Sequence, residues 1–209
     1  MIRRRRAVLH IAAVVVVLGA AAAFGALRDR GSGDPPPLAI HSSGATYTTL
    51  SQLVDASDVV IIGRARMVSP GRVFGAAEGA GVRSQIVELE VGAVLAGDSP
   101  GAVVAVEEEA TTSDGRAVVV DGLRPTRTGD QGLFFLVRSS DPAVPYFATV
   151  STAGRYLRRS TKAGDDRLIG ATDGAALARE LVDMGGRRLT DAVVARARAT
   201  GRPVGPLPT

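Results

Sequence analysis

VELEVGAVLAGDSPGAVVAV, residues 87–106, decides the fold class of this chain. Its first half alternates apolar and polar residues, which is typical of a half-buried β-strand, and a strand is predicted at residues 82–95. GDSPG at residues 97–101 is dense in turn-forming residues, and a second apolar run follows at residues 102–106. The stretch therefore predicts two strands joined by a hairpin turn.

Short runs of the same kind occur on both sides of this hairpin. VVIIGRARMV at residues 59–68 is rich in β-branched residues, and LFFLV at residues 133–137 has the composition of the most buried strand. Residues 70–81, rich in glycine and alanine, are predicted as a long hairpin loop. Further short strands are predicted at residues 117–120, 146–150, 156–158 and 167–169.

Helical signals flank the strands. Thr49 followed by Gln52 matches a capping box, which predicts a short helix directly after Thr49. Beyond the strands, apolar residues at helical spacing predict helices within residues 172–199, interrupted at Gly185-Gly186. The proline-rich residues 200–209 are predicted to be a disordered tail.

This order of elements predicts the architecture. Many short strands with a helix on each flank favour a mainly β fold, a small antiparallel barrel that is closed or partly closed. The barrel domain is placed at residues 47–171, a length sufficient for one compact domain.

The first residues of the chain indicate a membrane segment. Four arginines within residues 1–6 precede 21 uncharged residues, 7–27, and a helix of that length spans about 30 Å, the thickness of a bilayer core. The positive-inside rule places residues 1–6 in the cytoplasm and the domain outside, on a flexible linker at residues 28–46. Cleavage of a signal peptide near Ala21 and Ala23, giving a secreted protein, is the alternative.

Charge excludes a nucleic-acid partner. The net charge of +4 comes from the membrane segment, because residues 31–209 carry 19 basic and 20 acidic residues. Only 4% of the residues are aromatic, so the chain offers few surfaces on which bases could stack. The chain has no cysteine, which excludes a lipid anchor on an N-terminal cysteine.

Four segments carry a resemblance to known proteins: SDVVIIGRARMV (57–68), VELEVGAVLAGDSPGAVVAV (87–106), GDQGLFFLV (129–137) and STAGRYLR (151–158). In this order they resemble uncharacterised secreted and membrane-anchored actinobacterial proteins with a cysteine-free, OB-type barrel of the netrin-module and metalloproteinase-inhibitor kind. The resemblance covers about residues 47–159 and implies an OB-like barrel. The animal modules use an N-terminal cysteine at their inhibitory edge, so inhibitor activity is not implied here.

Ser99 is the strongest catalytic candidate in the sequence. It lies in a match to G-x-S-x-G, the nucleophile elbow, which requires a strand-to-helix turn and a histidine later in the chain. His10 and His41 both precede Ser99. The motif is therefore interpreted as a hairpin turn. Lys162, the only lysine, is interpreted as a solvated loop residue rather than as a catalytic partner.

Glu107, Glu108 and Glu109 form the densest acidic cluster. They could bind calcium, but the spacing of a calcium loop is absent, and solvated charges at a strand end are the favoured interpretation. No phosphate loop, dinucleotide fingerprint or zinc pattern occurs in the sequence. The sequence therefore predicts no catalytic, cofactor or metal residues.

A non-enzymatic function is expected from these observations. We expect a membrane-tethered binding or scaffold module of the cell envelope, whose partner is a protein or an envelope ligand and whose contact surface includes Phe74, Tyr146 and Tyr156. A secreted serine hydrolase that uses Ser99 without a histidine is one alternative. The other is a single-pass partner subunit of a membrane complex, acting through residues 7–27.

Overall fold

The computed structural model describes residues 36–40, 45–75, 81–139, 147–159, 167–171 and 176–207, and its fold is mainly β. The strands in this part of the chain are β1 (Leu38–Ile40), β2 (Val59–Phe74), β3 (Val82–Ala96), β4 (Val103–Thr112), β5 (Val118–Val120), β6 (Gln131–Arg138), β7 (Phe147–Thr149), β8 (Arg155–Arg159) and β9 (Arg167–Ile169). The helices are α1 (Leu50–Ala56), α2 (Ala176–Met184) and α3 (Gly186–Ala199). Each described strand and helix predicted from the sequence is present, with shifted ends.

Five strands form a closed barrel in the order β2-β3-β4-β7-β6, with β6 pairing back to β2. All of these pairings are antiparallel except β4 with β7, which is parallel and joined by Val106 and Phe147. β8 and β9 continue the sheet outward from β6, and β1 pairs in parallel with β5. The predicted barrel is therefore confirmed, and it closes.

The barrel wall separates two hydrophobic cores. Side chains alternate along β6, so Phe134 and Leu136 fill the barrel interior while Leu133 and Phe135 face the helices. The interior is completed by apolar residues of the other strands, including Ile61, Val87, Leu89, Val104, Val106 and Phe147. The outer core lies between the wall and the apolar faces of the helices, including Leu53, Leu177, Leu181, Leu189 and Val193. The helices thus cover one side of the barrel.

The predicted capping box at the start of α1 is confirmed with one change of partner. The Gln52 amide donates to Thr49 Oγ1 (3.2 Å), as a capping residue requires. The Gln52 side chain reaches back to the amide of Thr48 (3.0 Å) rather than to that of Thr49. Two amides at the helix start are satisfied in this way.

The prediction of a loop from residue 70 was wrong, because β2 continues through Pro70 to Phe74. Irregular pairing allows this. Register shifts follow Ala65 and Pro70, and such bulges accommodate residues that a regular ladder excludes. The predicted linker was wrong at Leu38–Ile40, which form β1.

The predicted disordered tail was also wrong for the described residues 201–207, which lie against the barrel. The Gly97 amide donates to the Pro203 carbonyl (3.0 Å), and the Gly205 amide donates to the Val94 carbonyl (2.9 Å). Arg202 donates to carbonyl groups at the end of α1, those of Val54, Ser57 (2.7 Å) and Asp58 (2.9 Å). The segment therefore joins α1 to the end of β3.

Among the described residues, no helix has the length and apolar character needed to cross a bilayer. The predicted membrane segment, residues 7–27, lies outside the described ranges.

Candidate contact surface

β2, β3 and β4 continue past the pairing of β2 with β6 as a hairpin ribbon, defined here as residues 66–74, 82–88 and 107–112, whose base at Val68 and Val87 still packs into the barrel interior. The pairing of β2 with β6 ends at Arg64 and Gln131, and the Ala65 amide then donates to the Asp130 carbonyl (2.8 Å). Beyond Ala65, no described strand pairs with the second edge of β2. The ribbon therefore projects with one open edge.

The ribbon carries most of the large apolar side chains that are exposed in the described structure. Met67, Val73 and Phe74 are 47%, 42% and 41% exposed, and the other two such residues are Ile169 and Leu207. The three lie along one strand, Met67 near the barrel and Val73 and Phe74 near its far end, and this concentration of exposed apolar side chains on one element favours a contact site. Phe74 of the predicted contact surface is therefore exposed on the ribbon.

A bulge explains the exposure of Met67. Ala65 pairs with Leu89 and Met67 pairs with Glu88, so Arg66 is the extra residue on β2. The bulge shifts the alternation and places Met67 outside the barrel, although Ala65 two residues earlier points inward. Arg66 Nε donates to the Glu88 carboxylate (2.8 Å) beside it.

At the tip of the ribbon, a cation–π contact holds the aromatic ring. The Arg72 guanidinium carbon lies 4.7 Å from the centre of the Phe74 ring. Arg72 also donates from Nε and Nη2 to the Glu107 carboxylate (2.9 and 2.8 Å), which accepts a further hydrogen bond from Ser84 Oγ (2.8 Å). These bonds fix Arg72, and Arg72 in turn supports the exposed ring.

Beneath the ribbon, a buried polar cluster closes the end of the barrel interior. Glu108 points to the same side of β4 as Val106, toward the interior, and its carboxylate binds the guanidinium of Arg155 on β8. Gln85 Nε2 and the Thr126 amide also donate to Glu108 (2.7 and 2.6 Å). Arg155 further donates to Thr126 Oγ1 (2.6 Å) and to the Arg124 carbonyl (2.8 Å).

This cluster corrects the interpretation of the three glutamates as solvated charges. Glu107 and Glu108 are mostly buried and bound to arginines, and Glu109 alone is exposed. Arg155 is 47 residues away from Glu108, and nothing in the local sequence pattern links the two. The described residues contain no group of three or more histidine, cysteine, aspartate or glutamate residues that could hold a metal ion.

Another ion pair stabilises the turn that leads into β6. Arg124 donates from Nη1 and Nη2 to the two carboxylate oxygens of Asp130 (2.7 and 2.9 Å), and the Arg127 amide donates to the same group (2.7 Å). Burial opposes the negative charge, but the hydrogen bonds from Arg124 and Arg127 outweigh it and hold the pKa of Asp130 below its usual value. The turn thereby holds its position next to Ala65, where the ribbon begins.

The other two residues of the predicted contact surface, Tyr156 and Tyr146, are not seen at the surface of the described structure. Tyr156 is fully buried in the outer core, so its inclusion was wrong; its ring meets that of Phe135 edge-on at 6.1 Å. Burial strongly raises the pKa of the Tyr156 hydroxyl, which has no hydrogen-bond partner among the described residues. Tyr146 lies outside the described ranges.

Ser99 lies on the exposed turn between β3 and β4. The motif is followed by a strand rather than by a helix, so the strand–turn–helix geometry of a nucleophile elbow is not formed. Ser99 Oγ accepts a long hydrogen bond from the Gly101 amide (3.4 Å). His10, His41 and Lys162 lie outside the described ranges.

A shallow cleft of about 120 Å³ lies between the barrel and the start of α3. Ile62, Leu133 and Leu168 supply apolar walls, and Arg158 and Thr190 stand at its sides. The cleft is smaller than the few hundred Å³ of typical small-molecule sites. The ribbon is therefore the stronger candidate for a functional surface.

In comparison with known proteins, no family matches this chain and no curated protein is similar to it. The resemblance to cysteine-free actinobacterial barrels remains a prediction.

Proposed function

We propose that this protein is a non-enzymatic binding or scaffold module of the cell envelope, held on the outer side of the cytoplasmic membrane by residues 7–27. The observation that supports this most directly is the hairpin ribbon, whose strand β2 carries three exposed apolar side chains, Met67, Val73 and Phe74. A side chain held by a cation–π contact and a bidentate ion pair is preorganised for contact, because little conformational freedom is lost when a partner binds.

The strand order supports assignment of the barrel to the OB type. OB barrels are five-stranded Greek-key barrels that bind ligands through the faces of strands 2 and 3 and through adjoining loops. Here the first three barrel strands in chain order, β2, β3 and β4, form the ribbon, and β4 pairs in parallel with β7. The proposed contact residues lie on the first barrel strand, and Val73 and Phe74 lie where this strand ends and leads into the connection to the second, one of the connections that bind ligands in this fold.

The surroundings of Ser99 favour binding over hydrolysis. Its turn joins two strands, and its hydroxyl accepts a hydrogen bond from the next glycine amide. An activated serine instead needs a base within hydrogen-bond distance. No titratable side chain hydrogen-bonded to Ser99 is found in the described part of the chain.

Site-specific photocrosslinking of the full-length protein in its native membranes tests this proposal. A photoreactive phenylalanine analogue replaces Phe74 in one variant and Leu207 in the control, because Leu207 is 40% exposed and lies far from the ribbon. We expect a discrete crosslinked product at position 74 that is absent at position 207. No product at position 74 would rule out the ribbon as the contact surface.

A fluorophosphonate probe separates this function from the hydrolase alternative. We expect no labelling of the purified full-length protein. Labelling of the wild type that is abolished in Ser99→Ala would replace the proposed function with a hydrolase.

A further inference from the structure

The N-terminal segment enters the described structure at the end where the ribbon projects. The Leu38 amide donates to the Ala117 carbonyl (2.8 Å), and from there β1 runs parallel with β5, away from the ribbon tip. Ser113, in the turn before β5, donates its amide to the Gly81 carbonyl (2.9 Å) at the start of β3. The exposed residues 36–37 therefore leave the domain on the side of the ribbon tip.

Strand register places this entry point level with the exposed apolar residues. Ala117, which binds Leu38, pairs with Thr111 of β4. Thr111 pairs with Arg83 of β3, and Arg83 pairs with Val73 of β2. Leu38 and Val73 are thus four strand spacings apart, about 19 Å at about 4.8 Å per spacing.

The connection to the proposed membrane segment is short. Residues 28–37 lie between that segment and β1, and ten extended residues reach about 35 Å at most. The tether therefore keeps the end of the domain from which the ribbon projects within about 35 Å of the bilayer. A weak contact suffices in this arrangement, because tethering raises the effective concentration of the surface to about the millimolar range.

The chemistry of the tip suits the interface between headgroups and acyl chains. Val73 and Phe74 are consecutive strand residues and point to opposite faces of the ribbon, so the tip has an apolar side chain on both faces. Segments that lie in this interface combine apolar residues such as Phe with basic residues on their polar side, and Arg72 lies over the Phe74 ring.

Among the described residues around the tip, the charges balance. The basic groups are Arg72, Arg83 and Arg116, and the acidic groups are Glu107, Glu109 and Asp114. Apolar insertion rather than net charge would therefore drive contact with the membrane.

We infer that the ribbon tip, Val73 and Phe74, docks into the headgroup region of the same membrane that holds residues 7–27. The inference rests on the proposed membrane tether and names the lipid surface as the partner of the contact surface. Docking at this second point fixes the orientation of the barrel. The turn at Ser99, at the opposite end of β3 and β4 from the tip, then faces away from the bilayer, and the helix-covered side lies along it.

Tryptophan fluorescence of the full-length protein in vesicles tests the inference. The chain contains no tryptophan, so Phe74→Trp introduces a single probe at the tip, and Leu207→Trp introduces a matched probe elsewhere on the surface. Both variants are reconstituted into phosphatidylcholine vesicles with and without lipids brominated near the headgroup. We expect brominated lipid to reduce the fluorescence of the position-74 probe and to leave the position-207 probe unchanged. High salt should not restore the lost fluorescence, because the charges of the described tip residues balance.

The outcomes separate the tether from the docking. Flotation of both variants with the vesicles establishes the tether independently of the probe. Flotation without quenching at position 74, or a crosslink from position 74 to protein instead of lipid in native membranes, would overturn the docking and leave the proposed function intact. If neither variant floats with the vesicles, residues 7–27 do not anchor the protein, and the proposed membrane tether is wrong.

Discussion

Arg155 on β8 and Glu108 on β4 form an ion pair across the end of the barrel, and each side chain is only 9% exposed. The side chains of Gln85 and Thr126 hydrogen-bond to the pair. A buried pair with satisfied neighbours positions the strands that carry it, and here it links the base of the ribbon to a strand outside the barrel ring.

Removal of one partner of this pair is expected to lower the stability of the fold strongly. Arg155→Met should lower the free energy of unfolding by about 3–5 kcal/mol, because it leaves the Glu108 carboxylate buried without its counter-charge. Chemical denaturation measures this difference. The double variant Glu108→Leu/Arg155→Met should recover a large part of the loss, since it removes both charges.

Arg66→Met is the matched control for this prediction. Arg66 pairs with Glu88 but is 54% exposed, so its loss should cost about 1 kcal/mol or less. Equal losses for Arg155→Met and Arg66→Met would show that burial does not govern the strength of these pairs.

Tyr156→Phe is expected to leave stability unchanged or to raise it by about 1–2 kcal/mol. The hydroxyl is buried without a partner among the described residues, so its removal relieves a desolvation penalty. The edge-on contact with Phe135 is kept. A loss of more than about 1 kcal/mol would mean that the hydroxyl has a stabilising hydrogen bond.

The same residue predicts a loss of stability in alkali. Burial raises the pKa of Tyr156 above the unfolded value of about 10, so its contribution is complete below about pH 10 and is lost as the pH rises above that value. Tyrosine ionises at about pH 10 to about pH 11.5. Over this range the free energy of unfolding should therefore depend less on pH in Tyr156→Phe than in the wild type. Tyr47→Phe is the control, with a smaller effect, because partial burial raises the pKa of Tyr47 while part of the ring stays in water.

Gly132→Ala should disrupt the contact between β6 and β8. A methyl group at position 132 would collide with the Tyr156 carbonyl oxygen and come within 3.1 Å of Leu157 Cα, and neither backbone can move aside. We expect a loss of about 1–3 kcal/mol or more, measured by thermal unfolding.

Gly92→Ala provides the comparison on another barrel strand. The nearest atom to its methyl group would be the Ile62 carbonyl oxygen at 3.5 Å, an ordinary contact. This variant should be neutral or more stable by about 0.4–1 kcal/mol, because alanine restricts the unfolded chain. Equal changes in thermal stability for Gly132→Ala and Gly92→Ala would contradict the close approach of β8 to Gly132.

Arg202→Ala should release the segment after α3. Its guanidinium donates to the carbonyls of Val54, Ser57 and Asp58, at the negative end of the α1 dipole. We expect a loss of about 1.5–3 kcal/mol. Arg198 is an exposed arginine in the last turn of α3, and Arg198→Ala should lower the free energy of unfolding by about 1 kcal/mol or less. A larger loss for Arg198→Ala than for Arg202→Ala would contradict this role of Arg202.

Sequence patterns predicted the elements that depend on local periodicity. Strict alternation located β3, and β-branched residues located the first part of β2. The capping box fixed the start of α1 because its hydrogen bonds join residues only three or four positions apart. These features depend on neighbours along the chain.

Contacts between distant segments were not predictable in this way. Pro70 and Gly71 are typical of a loop, but bulges in the pairing with β3 keep them within β2. Tyr156 was predicted on the contact surface, but the outer core between the barrel wall and the helices buries it. The pairing of Glu108 with Arg155 likewise depends on how distant strands come together in the sheet. Of the predicted contact surface, Phe74 is the one described residue that is exposed.

Arg202 also constrains the order in which this domain can mature during synthesis. The groups that it binds on Ser57 and Asp58 are made about 145 residues earlier, so α1 and the end of β3 wait for a segment that emerges much later. A nascent chain interrupted before residue 202 would hold the α1 carbonyls without this guanidinium. The end of α1 is therefore locked only after residue 202 has been made, and chains interrupted before it should be cleaved more readily by proteases.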